Sequence, residues 1–533
     1  MPKLTIDGRP VELPPGATIL DAARKLDIDV PTLCYLEGYK PSTSCLVCMV
    51  KVRNTGRLVP SCATLAVDGM EIESETDEVY QVRKTALELL LSDHVGDCLA
   101  PCHFLCPAHM DIPLMLRQIG EENLRDAIVT VKRDIALPAV LGRVCPKPCE
   151  KGCRRGGADG PVAVCQLKRY VADVDLASDE PYVPECQPSS GKCVAVVGAG
   201  PTGLAAAFHL ARQGHAVALL DENAEPGGRL RSQIGEGPDQ VPERVLRGEI
   251  DLILALGIEF RSGTALGAHV SLDDLRNEFD AVLIACGAVD KDRVERWGLK
   301  AAPRGIAVEK KTFRTHRDGV FAAGNAIRTK GLVVRSVADG KEAAAAIDQY
   351  LAGEPVTGPP ELFSVRMGRV SGDELAEFLA GAGRAPREDP AAGQAFSLER
   401  AVEQAARCLH CDCRGLAACR LKRYAAQYGA DPNRFRGQRA AFEQLAQHSL
   451  VIYEPGKCIN CGLCIEIAAR AQEPLGLTFV GRGFDVRVGV PFDRSMEEAL
   501  SKVAAECIAA CPTAALSART EREASELPIL GQR

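Results

Sequence analysis

A short stretch, Val194–Leu204 with the sequence VAVVGAGPTGL, sets the frame for the whole chain. A run of β-branched and small apolar residues predicts a buried strand. It passes through Gly198-Ala-Gly200-Pro-Thr-Gly203 into an alanine-rich helix, LAAAFHLARQG. Strand, glycine turn and helix in that order form a dinucleotide-binding fingerprint. Gly198 permits the tight turn, Gly200 lets the backbone approach a pyrophosphate, and Gly203 lets helix and strand pack closely. The helix N-terminus then offers free N–H groups to phosphate. A second strand, AVALLD, ends in Asp221, an acid placed to accept a hydrogen bond from a ribose hydroxyl. Pro226-Gly227-Gly228-Arg229 follows. Two later apolar strands end in small-residue turns, FDAVLIACG at 279–287 and GVFAAGN at 319–325.

With these strands the chain resembles the small subunit of bacterial glutamate synthase and its flavoprotein relatives, including the thioredoxin-reductase-like FAD domains. The resemblance implies a Rossmann-like domain with FAD on Gly198, Gly200, Gly203, Asp221, Gly228, Arg229, Gly287, Gly324 and Asn325. Two positions depart from that family, which usually carries Asp where Asn325 stands and Thr where Cys286 stands. Asn still donates and accepts hydrogen bonds, so FAD binding is expected with an altered flavin potential. The family also inserts a complete nicotinamide-binding domain between the last two strands. Here too short a stretch separates Cys286 from Val320 for a βαβαβ dinucleotide domain, and no second GxGxxG occurs. The expectation is an FAD domain lacking the inserted NAD(P)H domain.

Cysteine is the outlier of the composition, 23 in 533 residues. The opening MPKLTIDGRP has no apolar signal segment, and no run approaches a membrane span. In such a large chain, read as cytoplasmic and without direct membrane insertion, clustered cysteines point to metal rather than disulfides. The net charge of −7 speaks for no nucleic acid and no anionic membrane surface.

The cysteines come in groups. Residues 1–75 alternate short strands with one helix, and carry Cys34, Cys45, Cys48 and Cys62. Four thiolates at that spacing suit a [2Fe-2S] cluster, with zinc as the alternative. The spacing resembles the N-terminal domain of the large iron–sulfur subunit of complex I and of NAD-linked hydrogenases and formate dehydrogenases, which implies a β-grasp ferredoxin fold. Residues 76–176 read as a helical double [4Fe-4S] domain. Its first helix carries Val82, Ala86, Leu89 and Leu90 at helical spacing. Cys98, Cys102, Cys106, Cys145, Cys149 and Cys153 follow, and GRVCPKPCEKGC again resembles the glutamate synthase small subunit. The family pattern implies Cys98, Cys102 and Cys153 together, and Cys106, Cys145 and Cys149 together. Each trio needs a fourth ligand. Cys165 is one candidate and His94 the other, since His94–Cys98 repeats the spacing of a histidine ligand in the complex I subunit. The aligned family position is Lys168, which cannot ligate while protonated; Gln166 is a further alternative.

Proline-rich stretches at 177–192 and 353–394 read as linkers around the FAD domain at 193–352. Residues 395–448 form a helical cysteine-rich segment with Cys408, Cys411, Cys413 and Cys419. These four within a dozen residues suggest a [4Fe-4S] cluster or zinc. Residues 449–520 carry Cys458, Cys461, Cys464 and a distant Cys511-Pro, a [4Fe-4S] signature that resembles the C-terminal ferredoxin-like part of the complex I subunit. The fold class expected is therefore multidomain α/β and α+β, with FAD, one [2Fe-2S] cluster and up to four [4Fe-4S] clusters. No acid/base pair or nucleophile constellation stands out. The chain reads as an electron-transfer subunit whose partners are other oxidoreductase subunits that reduce a nucleotide or a substrate. The alternatives are a self-sufficient NAD(P)H-dependent oxidoreductase and a flavin-based electron-bifurcating subunit.

Overall fold

The computed structural model describes residues 1–520 except 236, 238, 239, 329 and 391–393. The described residues form two compact units of mixed α/β content. One comprises Met1–Ala100, Phe363–Gly381 and the chain from His410 onward; the other comprises Pro101–Leu362 and Ala382–Leu409. These units cut across the five segments expected from sequence.

The first unit opens with antiparallel strands Lys3–Ile6 and Arg9–Glu12. The helix Ile19–Lys25 follows, started by a capping box between Thr18 and Asp21. Its buried Ile19, Leu20, Ala22 and Ala23 cover a five-stranded mixed sheet. The strand order is Arg9–Glu12, Lys3–Ile6, Glu71–Glu73, Met49–Val52, Arg57–Pro60. In the next helix, Asp77–Ser92, part of the expected apolar face is inward, with Ala86 buried and Leu90 packed against the core. Leu89 is 53% exposed, whereas Val79, Arg83, Leu87, Glu88 and Leu91 are buried. Two charged residues take inward positions because each finds a partner. Arg83 donates from Nε to the Met49 carbonyl at 2.9 Å and from a terminal nitrogen to the Tyr428 hydroxyl at 2.9 Å. Glu88 pairs with Arg434 at 2.6 Å.

Part of the expected 353–394 linker is also packed here. It forms the helix Gly372–Ala380, whose Phe378 stacks on Phe442 with ring centroids 4.1 Å apart. Buried Glu374 takes the Arg439 guanidinium and the Phe442 N–H. The last part of the unit pairs strand Val451–Tyr453 with Leu516–Ala518 beside helices Leu463–Arg470 and Ala504–Ala510.

The second unit is built on a five-stranded parallel sheet. Its order is Val320–Ala322, Ala281–Ile284, Cys193–Val197, Ala216–Leu220, Glu259–Arg261. Strands buried on both faces need continuous apolar runs, and CVAVV, AVALL and AVLI supply them. Helices Pro201–Arg212, Glu243–Leu254 and Val333–Leu351 cover it. One apolar core runs from Met110 and Leu137 of the N-terminal helices through Leu204 and Phe208 to Val337 and Ile347. The helical cysteine segment and the sheet domain are therefore a single packed body. Between Cys286 and Val320, where every residue is described, stand only the helix Lys291–Arg296 and a hairpin of two-residue strands, Ala301–Ala302 and Gly305–Ile306.

Candidate cofactor sites

The glycine turn has the expected geometry. Gly198 has φ +108°, and a Cβ there would lie 2.6 Å from the Ala285 carbonyl oxygen and the Cys286 Cα. A Cβ on Gly203 would lie 1.8 Å from the Gly198 oxygen. Both positions need glycine because backbone meets backbone. A cavity of about 520 Å³ opens over this turn, lined by Gly198, Gly200, Asp221, Gly228, Arg229, Gly287 and Asn325 among others. Gly203 and Gly324 do not line it but shape its walls. A Cβ on Gly324 would strike the Thr202 hydroxyl at 2.2 Å.

Asp221 is already engaged. One carboxylate oxygen accepts from the Ala199 N–H at 2.6 Å, the other from the Asn223 N–H at 2.8 Å and its side-chain amide at 2.7 Å. It fastens the turn to the second strand, with lone pairs left for a ribose hydroxyl. The sequence reading missed Glu222, Arg293 and Ser336, which also line the cavity. They lie beyond the glycine motif, and nothing in their local spacing marks them. The Asn325 Oδ1 is buried with no hydrogen-bond partner, an orphaned acceptor facing a cavity of nucleotide size. That fits a bound ligand carrying hydroxyl donors.

The first cysteine quartet converges. The Cys34 and Cys45 sulfurs are 3.3 Å apart. Hydrogen bonds from Cys45 and then Cys62 hold the Cys34 thiol far below the usual thiol range. A hydrogen bond from Cys62 brings Cys48 down to about 7. Their partners Cys45 and Cys62 are correspondingly pushed up. Four sulfurs sharing protons in a buried loop suit thiolate ligation.

In the second unit, Cys106, Cys145, Cys149 and Cys165 line one small cavity. A hydrogen bond from Cys165 lowers Cys145 to about 6, while burial first of all drives Cys149 up to about 12. Cys165 thus joins the trio that lacked a fourth sulfur. Cys102, Cys153 and Cys408 all border the large apolar core of this unit. Cys408 arrives there on the helix Leu398–Ala405, which buries Ala401 and Ala405.

The sequence-based groupings need two corrections in the first unit. Cys98 is expected with Cys102 and Cys153, but its carbonyl accepts the Cys413 N–H at 3.2 Å. Burial first, and then Cys413 and Cys98 among its neighbours, pushes the Cys419 thiol up to about 12. Cys408 and Cys411 are expected in one cluster with Cys413 and Cys419, yet Cys408 is packed in the other unit; Cys411 is half-buried. The cause is long-range packing: the Cys98 N–H donates to the Val365 carbonyl, and the N–H of its neighbour Leu99 to the Ser364 hydroxyl, each at 3.2 Å. His94 stands in the same neighbourhood. Its Nδ1 is buried without a hydrogen-bond partner. Burial, then the charge of Lys457, holds its pKa down to about 3. It is a neutral imidazole, the form that ligates metal. The same Lys457 acts on Cys98 and Cys413.

Cys458, Cys461, Cys464 and Cys511 line a further small cavity. The loop holding the first three turns through left-handed Asn460 and Gly462. The Asn460 and Leu516 N–H groups point at the Cys458 and Cys511 sulfurs, at 3.4 and 3.5 Å. Such donors favour ligated thiolate and tune its potential. Burial pushes Cys458 to about 11 and Cys461 to about 12, a cost that bound metal would offset because only the thiolate ligates. Leftover Cys507 is also buried, its thiol 3.7 Å from the Cys464 carbonyl. Among the described residues, no three histidine, cysteine or acidic side chains are grouped around a position for a single metal ion. No helix of the described residues is long and apolar enough to cross a membrane.

Comparison with known proteins matches three stretches of the chain. Residues 2–77 match the 2Fe-2S iron–sulfur cluster binding domain, and residues 74–180 match the 4Fe-4S cluster domain II of dihydropyrimidine dehydrogenase. Residues 163–340 match the pyridine nucleotide-disulphide oxidoreductase family. Three stretches of the chain thus match two iron–sulfur cluster domains and one oxidoreductase domain. Among similar proteins, the NADP(+)-dependent formate dehydrogenase subunit beta of Moorella thermoacetica is 38% identical over 209 residues, 35% of this chain and 29% of that protein. The NAD-dependent dihydropyrimidine dehydrogenase subunit PreT of Escherichia coli O157:H7 is 38% identical over 35% of this chain and 45% of its own length. The glutamate synthase [NADPH] small chain of Mycobacterium tuberculosis is 38% identical over 36% of this chain and 39% of its own. The matches thus span less than half of these relatives.

Proposed function

We propose that the chain is an electron-transfer subunit of a larger oxidoreductase complex in the cytoplasm, holding one FAD, one [2Fe-2S] and four [4Fe-4S] clusters. The observation that carries this reading is the adjacency of two cavities in the second unit. Val333 lines the nucleotide-sized cavity and its neighbour Val334 lines the Cys106–Cys165 quartet. Both residues stand in the first turn of the helix Val333–Leu351. Within the first unit, the sites are adjacent as well: Cys34 acts electrostatically on Cys461, and Cys511 on Cys419. When bound, flavin exchanges electron pairs for single electrons and the clusters carry one each.

In this reading the turn from Gly198 to Gly203 and Arg229 hold the pyrophosphate, and Asp221 or Glu222 holds the ribose. The mixed sheet with its helix supports a β-grasp ferredoxin domain around Cys34, Cys45, Cys48 and Cys62. His94, Cys98, Cys413 and Cys419 form one [4Fe-4S] site, Cys106, Cys145, Cys149 and Cys165 a second, and Cys458, Cys461, Cys464 and Cys511 a third within a ferredoxin-like domain. Cys102, Cys153 and Cys408 of the second unit remain for the fourth. The match to pyridine nucleotide-disulphide oxidoreductases favours a second reading, self-sufficient NAD(P)H oxidation. The single helix and hairpin between Cys286 and Val320 leave that reading without a nicotinamide domain. Metal and flavin analysis of anaerobically purified protein tests the content. Four cubanes and one [2Fe-2S] predict about eighteen irons with one FAD; zinc in place of any four irons contradicts the cluster assignment.

A further inference from the structure

Lys168 is 5% exposed and lines the small cavity formed by Cys106, Cys145, Cys149 and Cys165. It sits three residues after Cys165 on the helix Val164–Leu176, so both side chains share a face. Among the described residues, no carboxylate stands within ion-pair distance of its ammonium. The acid on the same quartet, Glu150, is held by Arg387 at 3.0 Å and by the Cys165 N–H at 2.9 Å. Burying an ammonium without a countercharge costs several kcal/mol. Apart from Lys168, the polar side chains lining the cavity are the sulfurs of Cys106, Cys145, Cys149 and Cys165, and the rest of the lining is apolar. The cavity is thus built to receive an anion with the lysine as its counterion. A cubane on four thiolates is such an anion, and its negative charge grows with each electron added.

We propose that Lys168 is a positioning residue that raises the reduction potential of the cluster on Cys106, Cys145, Cys149 and Cys165, making that cluster the preferred acceptor beside the flavin cavity. This rests on the cluster reading above. A fixed positive charge in a dry cavity favours the reduced, more negative state, and the low local dielectric magnifies the effect. The thiolate of Cys165 completes the ligand set, which frees Lys168 to act through its charge.

The test is an EPR-monitored redox titration of the full-length protein, purified anaerobically, as wild type, Lys168→Met and Lys168→Arg. Lys168→Met should keep the iron of the wild type but disfavour reduction of this cluster at least tenfold, 59 mV for one electron. Lys168→Arg should recover most of that shift. Full iron with an unmoved potential in Lys168→Met overturns the proposal. If Lys168→Met loses the cluster, Lys168→Gln carries the same comparison; loss of iron there and in Lys168→Arg makes the residue structural and also overturns it. Cys165→Ala serves as the marker for the cluster itself. If that variant removes no signal from the wild-type spectrum, the cluster reading fails and the proposal falls with it.

Discussion

At Gly203 a single methyl group decides whether the nucleotide site exists. A Cβ there would sit 1.8 Å from the Gly198 oxygen, with backbone on both sides, so helix and strand must part. Gly203→Ala should lose FAD from the purified protein and destabilise the second unit by about 1–3 kcal/mol, read as a lower denaturant midpoint. Retention of flavin with an unchanged midpoint contradicts the packing account. Cys165 decides the fate of its quartet in the same local way. Cys165→Ala should cost about four irons, whereas Gln166→Ala should cost none; iron counts on both variants make the comparison. The glycine site was legible in the sequence because its parts are local: strand, turn and helix are consecutive, and each glycine answers a contact within the motif. Cys165 was legible only as one of two candidates. Its partnership depends on helices that return to the same cavity, and no spacing rule records that.

At the scale of elements, cysteines that are neighbours in sequence are not partners. Cys98 reaches Cys413 because residues 363–381 hold this stretch of backbone, Val365 at Cys98 and Ser364 at Leu99. Cys408, five positions before Cys413, lies just past the helix Leu398–Ala405 and packs in the core of the other unit. Cys98→Ala, Cys413→Ala and the double variant should therefore remove the same EPR signal, with no additional loss in the double, as expected for groups acting as one unit. Cys408→Ala should remove a different signal. A shared signal for Cys408 and Cys413 restores the compact cluster expected from spacing. The same physics misled the periodicity of Asp77–Ser92. Apolar spacing placed Leu89 inward, yet Arg83 and Glu88 took the buried face because Met49, Tyr428 and Arg434 satisfy them. Buried charge with a partner is invisible to a hydrophobic pattern.

Over the whole molecule, the account stands on what separates Cys286 from Val320. A hydride donor must lay its nicotinamide on the flavin ring, and contacts to the remote parts of that donor position the reacting atoms. This chain offers one glycine fingerprint, and only a short helix and a hairpin where a second nucleotide domain would be needed. Electrons are then expected to enter or leave through a partner subunit. The direct measurement is anaerobic stopped-flow absorbance at the flavin band, with the purified chain mixed against NADH and against NADPH. The account predicts no rapid bleaching with either, and complete reduction by dithionite. Bleaching within milliseconds at micromolar nucleotide would contradict it and establish the chain as a self-sufficient NAD(P)H oxidoreductase.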